Sequence, residues 1–246
     1  MRKNLAAYRY IDEKVLPLYI PETHLRTIER ELTVRSGFDL FIKRAVDVGI
    51  SVFVLVFGLP FYLLLALFVK LTSEGPVLYT QDRVGEDGRP FRMYKFRTMM
   101  NGNNDEKHRN FAKDFINGHS NGENGSNGNV FKIVDDPRVT SMGRFLRKTS
   151  LDELPQFINV LKGEMSLVGP RPPLSYELDH YQEWHKRRLT VKPGLTGLWQ
   201  VSGRSTVPFD EMVMLDLFYI DNWSLLLDVK IILRTLPVML SGCGGY

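Results

Sequence analysis

The run VGISVFVLVFGLPFYLLLALFV, residues 48–69, holds 22 residues without a charge between Asp47 and Lys70. As one α-helix at about 1.5 Å per residue it matches a hydrocarbon core of about 30 Å. Gly58 and Pro60 sit at its middle, and basic residues flank both ends, Lys43 and Arg44 before it and Lys70 after it. The positive-inside bias therefore marks neither end as external. If the chain bends sharply at Gly58 and Pro60, each arm of roughly ten residues reaches about 15 Å, one leaflet, and both ends return to the same side. Spacing alone leaves a straight single pass and a re-entrant helix-break-helix both open, because Pro is tolerated in spanning helices whose neighbours satisfy the freed carbonyls. A buried core helix is the third reading, disfavoured by such length and uniformity.

Around this segment the composition is that of an ordinary globular protein. A length of 246 residues allows one large domain, or a domain with an appendage. With 43% hydrophobic and 24% charged residues, collagen-like and wholly disordered classes are excluded. The 32 basic and 28 acidic residues leave +4, which permits phosphate-bearing partners or an anionic membrane face. The basic residues are dispersed and form no aromatic-basic stacking platform, which argues against a nucleic-acid partner. One cysteine, Cys243, allows neither an intrachain disulfide nor a cysteine-based zinc site. Residues 1–42 contain no apolar h-region, so the expectation is a cytosol-facing chain without a cleaved signal peptide.

The expected organisation is α+β. Residues 1–42 read as a polar, partly helical extension, most helical at 22–32. Residues 43–72 read as the membrane-inserted helix-break-helix, and residues 73–246 as a compact, mostly helical cytosolic catalytic domain. In that domain Val77–Thr80 and Phe91–Phe96 read as two strands around a turn at 85–88, a small arginine-rich hairpin. Residues 101–129 read as a surface loop, mobile where NGHSNGENGSNGN fills 117–129. Helices are expected at 154–161, 176–188, 209–222 and 225–240. The last carries three charges on an otherwise apolar helix, which fits either an amphipathic interfacial helix or an amphipathic core helix.

The densest polar cluster is GRFLRKTSLDELPQ, residues 143–156, where Asp152 and Glu153 follow Arg144, Arg147 and Lys148. Ser150-x-x-Glu153 fits a capping box, in which both acidic residues merely stabilise a first helical turn. Pro155 weakens that reading, since it would be the fifth helical residue; a helix starting near Leu154 leaves both carboxylates just outside its positive end. Such a pair beside arginines suits phosphate chemistry, one carboxylate holding a divalent metal and the other acting as nucleophile or base. GPRPP at 169–173 and KPGLTGLWQVSGR at 192–204 add Arg171 and Arg204 on turns fixed by Gly and Pro, and arginine forks match phosphate oxygens in a bidentate way. Neither GxxxxGK[ST] nor GxGxxG occurs, so ordinary P-loop and Rossmann sites are absent.

Lys43-Arg44-x-x-Asp47, the apolar segment with its central Pro, GPVLYTQDRVG, MYKFRTM, DDPRVTSMGRFLRKTSLDELPQ, VLKGEMSLVGPRP and VKPGLTGLWQVSGR follow one another in order. Together they closely resemble the bacterial sugar transferases, the monotopic polyprenyl-phosphate hexose-1-phosphate transferases, over about residues 43–246. The resemblance implies transfer of a sugar 1-phosphate from a UDP-sugar to undecaprenyl phosphate with release of UMP, the start of exopolysaccharide or related glycan assembly. It implies Asp152 as the nucleophile that forms a covalent phosphosugar intermediate, and Glu153 as a ligand of Mg2+. Arg147, Arg171 and Arg204 match arginines that grip the diphosphate and the acceptor phosphate. It further implies a re-entrant anchor among membrane lipids at the bacterial inner membrane, with the catalytic domain on the cytosolic face. Here Leu59-Pro60 stands where many relatives carry Ser-Pro, leaving Gly58 to allow the bend. The C-terminal LSGCGGY resembles that of relatives in exopolysaccharide pathways, a resemblance that implies glucose or galactose as the sugar. An N-acetylhexosamine donor, a catalytically silent membrane scaffold and a homo-oligomeric state all stay open.

Overall fold

The Ser36 side chain accepts a hydrogen bond from the Phe38 N–H and so caps helix α1, Gly37–Phe57, six residues before the expected boundary. The computed structural model describes residues 36–100, 106–117, 138–202 and 208–240. The helix expected at 22–32, the stretch 118–129, Arg204 and Cys243 lie outside the described residues. Helix α2, Leu59–Thr72, follows α1 after a 64° bend. Gly58 stays right-handed (φ −79°, ψ −8°). A Cβ there would meet the Val54 carbonyl oxygen at 2.4 Å and the Tyr62 ring at 2.8 Å, so the turn of the axes has no room for a side chain. Pro60 lies in the first turn of α2, where its missing N–H costs no intrahelical bond. Among the described residues no single helix is long and apolar enough to cross a membrane, but the two arms of this bent pair together have the length and apolar composition of a span. Its outer faces are bare: Phe53, Phe57, Leu63 and Leu71 are 61–72% exposed.

The hairpin joins β1, Leu78–Val84, to β2, Pro90–Phe96, in antiparallel register with Asp82 opposite Arg92. Then come α3, Glu106–Ile116; α4, Ser141–Thr149; α5, Gln156–Lys162; and β3, Ser166–Val168. After β3 stand α6, Glu183–Lys186; β4, Gly194–Thr196; α7, Leu198–Ser202; α8, Phe209–Asp221; and α9, Leu225–Leu240. β3 and β4 pair in parallel, giving a second two-stranded sheet in a mostly helical α+β chain.

Two cores hold these elements. The larger gathers Val160, Met165, Val168, Leu198, Met212, Val213, Leu215 and Ile231. The smaller packs Leu65 and Val69 of α2 against Phe96 and Leu146, with Leu151 and Leu154 beside them. Polar contacts dock the first turns of α1. Lys43 Nζ pairs with Asp228 Oδ2 at 2.6 Å and donates to the Val168 carbonyl at 3.2 Å. Arg44 donates to the Val160 and Leu161 carbonyls at 2.6 and 2.9 Å, where the end of α5 favours positive charge. Asp47 accepts the Leu167 N–H at 3.0 Å. Lys43 and Arg44 therefore face inward rather than lying at a headgroup level, because their partners are buried carboxylate and carbonyl oxygens.

Two expectations change. The stretch 101–129 contains α3, since Ala112, Phe115 and Ile116 share a helical face and bury it, Phe115 against the Phe209 ring. The helix expected at 176–188 is broken into 3-10 turns at Ser175–His180 and Arg187–Thr190 around the short α6. Tyr181 is extended there (φ −77°, ψ 133°), and Glu177, Tyr181, His185 and Arg188 are all buried. α9 is amphipathic: Leu227 and Ile231 are buried in the core, while Leu226, Val229, Leu233 and Leu236 form an exposed stripe.

Candidate active site

α4 starts at a Thr140 cap, whose hydroxyl accepts the Gly143 N–H at 2.9 Å, and ends at Ser150 in the left-handed region (φ 57°, ψ 18°). That conformation costs a non-glycine residue about 1–2 kcal/mol and reverses the chain into a 3-10 turn, Leu151–Glu153, ahead of Pro155 and α5. Ser150 makes no side-chain cap, so the capping box does not form. The turn instead sends Leu151 and Leu154 into the smaller core and leaves Asp152 and Glu153 between the two helices. Asp152 is 9% exposed. From α2, the Tyr62 hydroxyl donates to the Leu154 carbonyl at 3.3 Å, so the bent helix pair directly supports the turn.

The strand containing MYKFRTM lines one side of the dyad. Lys95 Nζ pairs with Glu153 Oε1 at 2.9 Å, and Thr98 Oγ1 accepts from Arg147 Nε at 2.9 Å. The intervening Arg97 turns away and donates to the Ser73 carbonyl and hydroxyl at 2.6 and 3.1 Å, which fixes the exit of α2. Sequence reasoning missed Lys95; the available signal was a lysine inside a half-buried strand.

A second group of cations approaches from the GPRPP segment. Arg83 is 4% exposed and donates to the Pro172 carbonyl at 2.9 Å and to Gln81 Oε1 at 2.7 Å. Burial pushes its guanidinium down to about 10; Arg171 acts in the same direction, and Glu177, Tyr176 and Glu153 oppose it. Arg83 is thus within electrostatic reach of both Arg171 and Glu153, which links two blocks far apart in sequence. Behind it Arg188 and Asp216 form a buried pair, and Arg188 also donates to the Tyr181 hydroxyl at 3.0 Å. Burial pushes the Asp216 carboxyl up to about 6 against the pull of Arg188. A small cavity lies here, lined by Arg171, Glu177, Arg188 and Phe209 among others.

The structure thus gathers Arg147, Asp152 and Glu153 on one helix-turn-helix, while Arg83 braces the segment of Arg171 through the Pro172 carbonyl. Arg204 is outside the described residues. Among the described residues no three or more His, Cys, Asp or Glu side chains group as a metal site. Two adjacent carboxylates are nevertheless the donor set that Mg2+ uses when substrate phosphates and water complete its shell.

Residues 38–242 match the family model described as Bacterial sugar transferase. The chain is 48% identical over 208 residues to the galactosyl transferase CpsE of Streptococcus agalactiae serotype III, a match spanning 84% of this chain and 44% of that protein. It is 43% identical over 230 residues to the undecaprenyl-phosphate galactose phosphotransferase of Salmonella typhimurium, spanning 93% and 46% respectively. With the exopolysaccharide production protein ExoY of Rhizobium meliloti it shares 43% identity over 207 residues, spanning 83% and 88%. The chain covers less than half the length of the first two relatives and most of the third. On the extent of that match and the order of its motifs, the chain belongs to the bacterial sugar transferase family.

Proposed function

We propose that this chain transfers a sugar 1-phosphate, galactose or glucose, from a UDP-sugar to undecaprenyl phosphate and releases UMP, so beginning a lipid-linked exopolysaccharide. The observation that carries this reading is a carboxylate, Asp152, held nearly buried on a strained turn that follows Arg147 on α4 and precedes Glu153, itself paired with Lys95. Relatives named for undecaprenyl-phosphate galactose and UDP-glucose transfer support the substrate class.

In the first step an Asp152 oxygen attacks the sugar-bearing phosphorus of the UDP-sugar, and the pyrophosphate P–O bond breaks with its electron pair leaving on UMP. In the second, a phosphate oxygen of undecaprenyl phosphate attacks the same phosphorus, and the bond to Asp152 breaks to restore the carboxylate. Neither step requires a proton at the reacting atoms. The covalent intermediate lets two bulky substrates use one site in turn. Arg147, Arg171 and Arg204 spread the charge of the in-line displacement, as fixed forks do for phosphoryl groups. Lys95 holds Glu153 in place. Glu153 would hold Mg2+, which would supply charge neutralisation when bound.

The domain organisation follows the same reading: an extension at 1–42, the anchor at 43–72 and the cytosolic domain at 73–246, seated at the bacterial inner membrane. A 64° bend leaves the arms of α1 and α2 open at an included angle of about 116°. With both arms tilted equally, ten apolar residues of about 15 Å reach roughly 8 Å deep, so the pair is a shallow re-entrant wedge in one leaflet. The exposed stripe of α9 lies at the same interface. This places the soluble nucleotide and the lipid phosphate at one level without moving charge through hydrocarbon.

Intact-protein mass after incubation with UDP-galactose, UDP-glucose or a UDP-N-acetylhexosamine, with Mg2+ and no lipid, tests the reading. One sugar phosphate should add to the wild type, and Asp152→Asn should show no adduct and no turnover. Normal UMP release by Asp152→Asn refutes the covalent route.

A further inference from the structure

The segment from Pro170 to Pro173 has three prolines in four residues, so it offers four carbonyl acceptors and one N–H of its own. It can form neither helix nor ladder, and its carbonyls must find donors elsewhere. Each one does, and the four donors come from three separate places: β1, the turn after α6 and the start of β4. The Pro170 carbonyl takes the Gly194 N–H at 2.8 Å, and the Pro173 carbonyl takes the Val84 N–H at 2.9 Å. The two central carbonyls take side chains: Arg188 approaches that of Arg171 at 3.5 Å, and Arg83 donates to that of Pro172 at 2.9 Å. Pro170, Pro172 and Pro173 are buried, and only Arg171 between them is partly exposed.

We infer that Arg83 and Arg188 are positioning residues for Arg171, holding the main chain of its segment so that its guanidinium meets the donor diphosphate in a fixed place. This inference rests on the transferase reading. Arg83 and Arg188 are each 4% exposed, too deep to grip a substrate, and Arg188 is itself locked by Asp216 and Tyr181. Charged donors suit the task because hydrogen bonds from a guanidinium are stronger than those between neutral groups, and a fork aims in a fixed plane. The repulsion between Arg83 and Arg171 is part of the device: it disfavours folding of Arg171 back onto its own support and is relieved when an anion arrives.

Hydrogen exchange and a mutant cycle on the full chain test this. Arg83→Lys keeps the charge and one donor but loses the fork. It should speed exchange about tenfold in peptides covering 169–175 and leave those covering 225–240 unchanged. In UMP release, Arg83→Lys should lower kcat about tenfold with little change in KM, and Arg171→Ala about a hundredfold. The double variant should match Arg171→Ala within about twofold, since a residue acting only through Arg171 has nothing left to position. Arg188→Lys provides the same cycle should Arg83→Lys fold poorly. Unchanged exchange at 169–175, or losses that multiply in the double variant, overturn the inference. A folded wild type that releases no UMP from any UDP-sugar overturns the transferase reading instead, and the exchange result then decides the positioning role by itself.

Discussion

Gly143→Ala tests how closely the site depends on one point of contact. Gly143 lies in the first turn of α4, against Thr98, two residues past the end of β2, the strand that carries Lys95. A Cβ at this position would fall 2.0 Å from the Thr98 carbonyl oxygen and 2.7 Å from its carbon. That oxygen cannot yield cheaply, since it accepts the Thr140 N–H at 3.1 Å. Ordinary contact begins at 3.4 Å, so α4 and the strand must separate by about 1.4 Å. Overpacking of this kind costs about 1–3 kcal/mol, or a fall in Tm of about 5 °C at this chain length. The effect on turnover should be larger. Arg147 sits one helical turn further on, bonded to Thr98 Oγ1, and Asp152 follows it on the same rigid connection. A shift near 1 Å in such an arrangement costs about a hundredfold in rate. UMP release and thermal melting in detergent are the assays. Gly49→Ala, where a Cβ meets nothing within 4 Å, is the matched control and should retain full activity. Near-normal turnover by Gly143→Ala, at a Tm lowered by a few degrees, would refute the claim that this contact sets the position of Arg147 and the dyad.

Lys43→Met leaves the Asp228 carboxylate buried with only Tyr219 and Trp223 as donors, and should cost about 3 kcal/mol in denaturant unfolding; Asp228→Asn in the same chain should recover part of that loss. His185 should make stability depend on pH. Burial lowers its pKa, Asp210 pulls the other way and Arg188 adds to the lowering, so the unfolded chain binds more protons; the contribution is present above about pH 6.5 and lost as pH falls. Its Nδ1 accepts the Gln182 N–H at 3.1 Å, a bond that protonation abolishes; thermal melts from pH 7.5 to 5 should steepen for the wild type relative to His185→Gln, and parallel curves would remove the assignment. Pro60→Ala should straighten the α1–α2 bend toward a span, and accessibility labelling of cysteines placed at Ser36 and Ser73 should then find them on opposite faces of the membrane; labelling from the cytosolic side at both positions would show that Gly58 alone maintains the turn.

The parts legible in the sequence were those governed by local chemistry. Gly58 and Pro60 announced the break, and Pro155 announced that the dyad precedes its helix; both stand in the structure. α3 was hidden because the Asn and Gly of its surroundings outweigh four apolar residues whose burial depends on Phe209, about a hundred positions away. The parallel pairing of β3 and β4 rests on three-residue strands with no periodicity to detect. The inward docking of Lys43 and Arg44 was hidden for a related reason. A cation beside an apolar run suggests a headgroup when its partner is invisible, and here the partners lie 116–185 residues along the chain. Arg83 and Arg188 carried no local mark either, since their roles come from carbonyls and carboxylates supplied by other elements.

The docking of α1 bears on how the protein could be engineered. A hydrophobic leader is often treated as an interchangeable tether, to be trimmed for expression or replaced by another. Trimming to residue 48 here would strip Asp228 of its cation, orphan the Leu167 amide and uncap the last carbonyls of α5, a loss inside the globule rather than outside it. A water-soluble version should therefore keep residues 36–51 intact and recolour only the outward positions, Phe53, Val56, Phe57, Leu63, Leu67 and Leu71, with polar side chains.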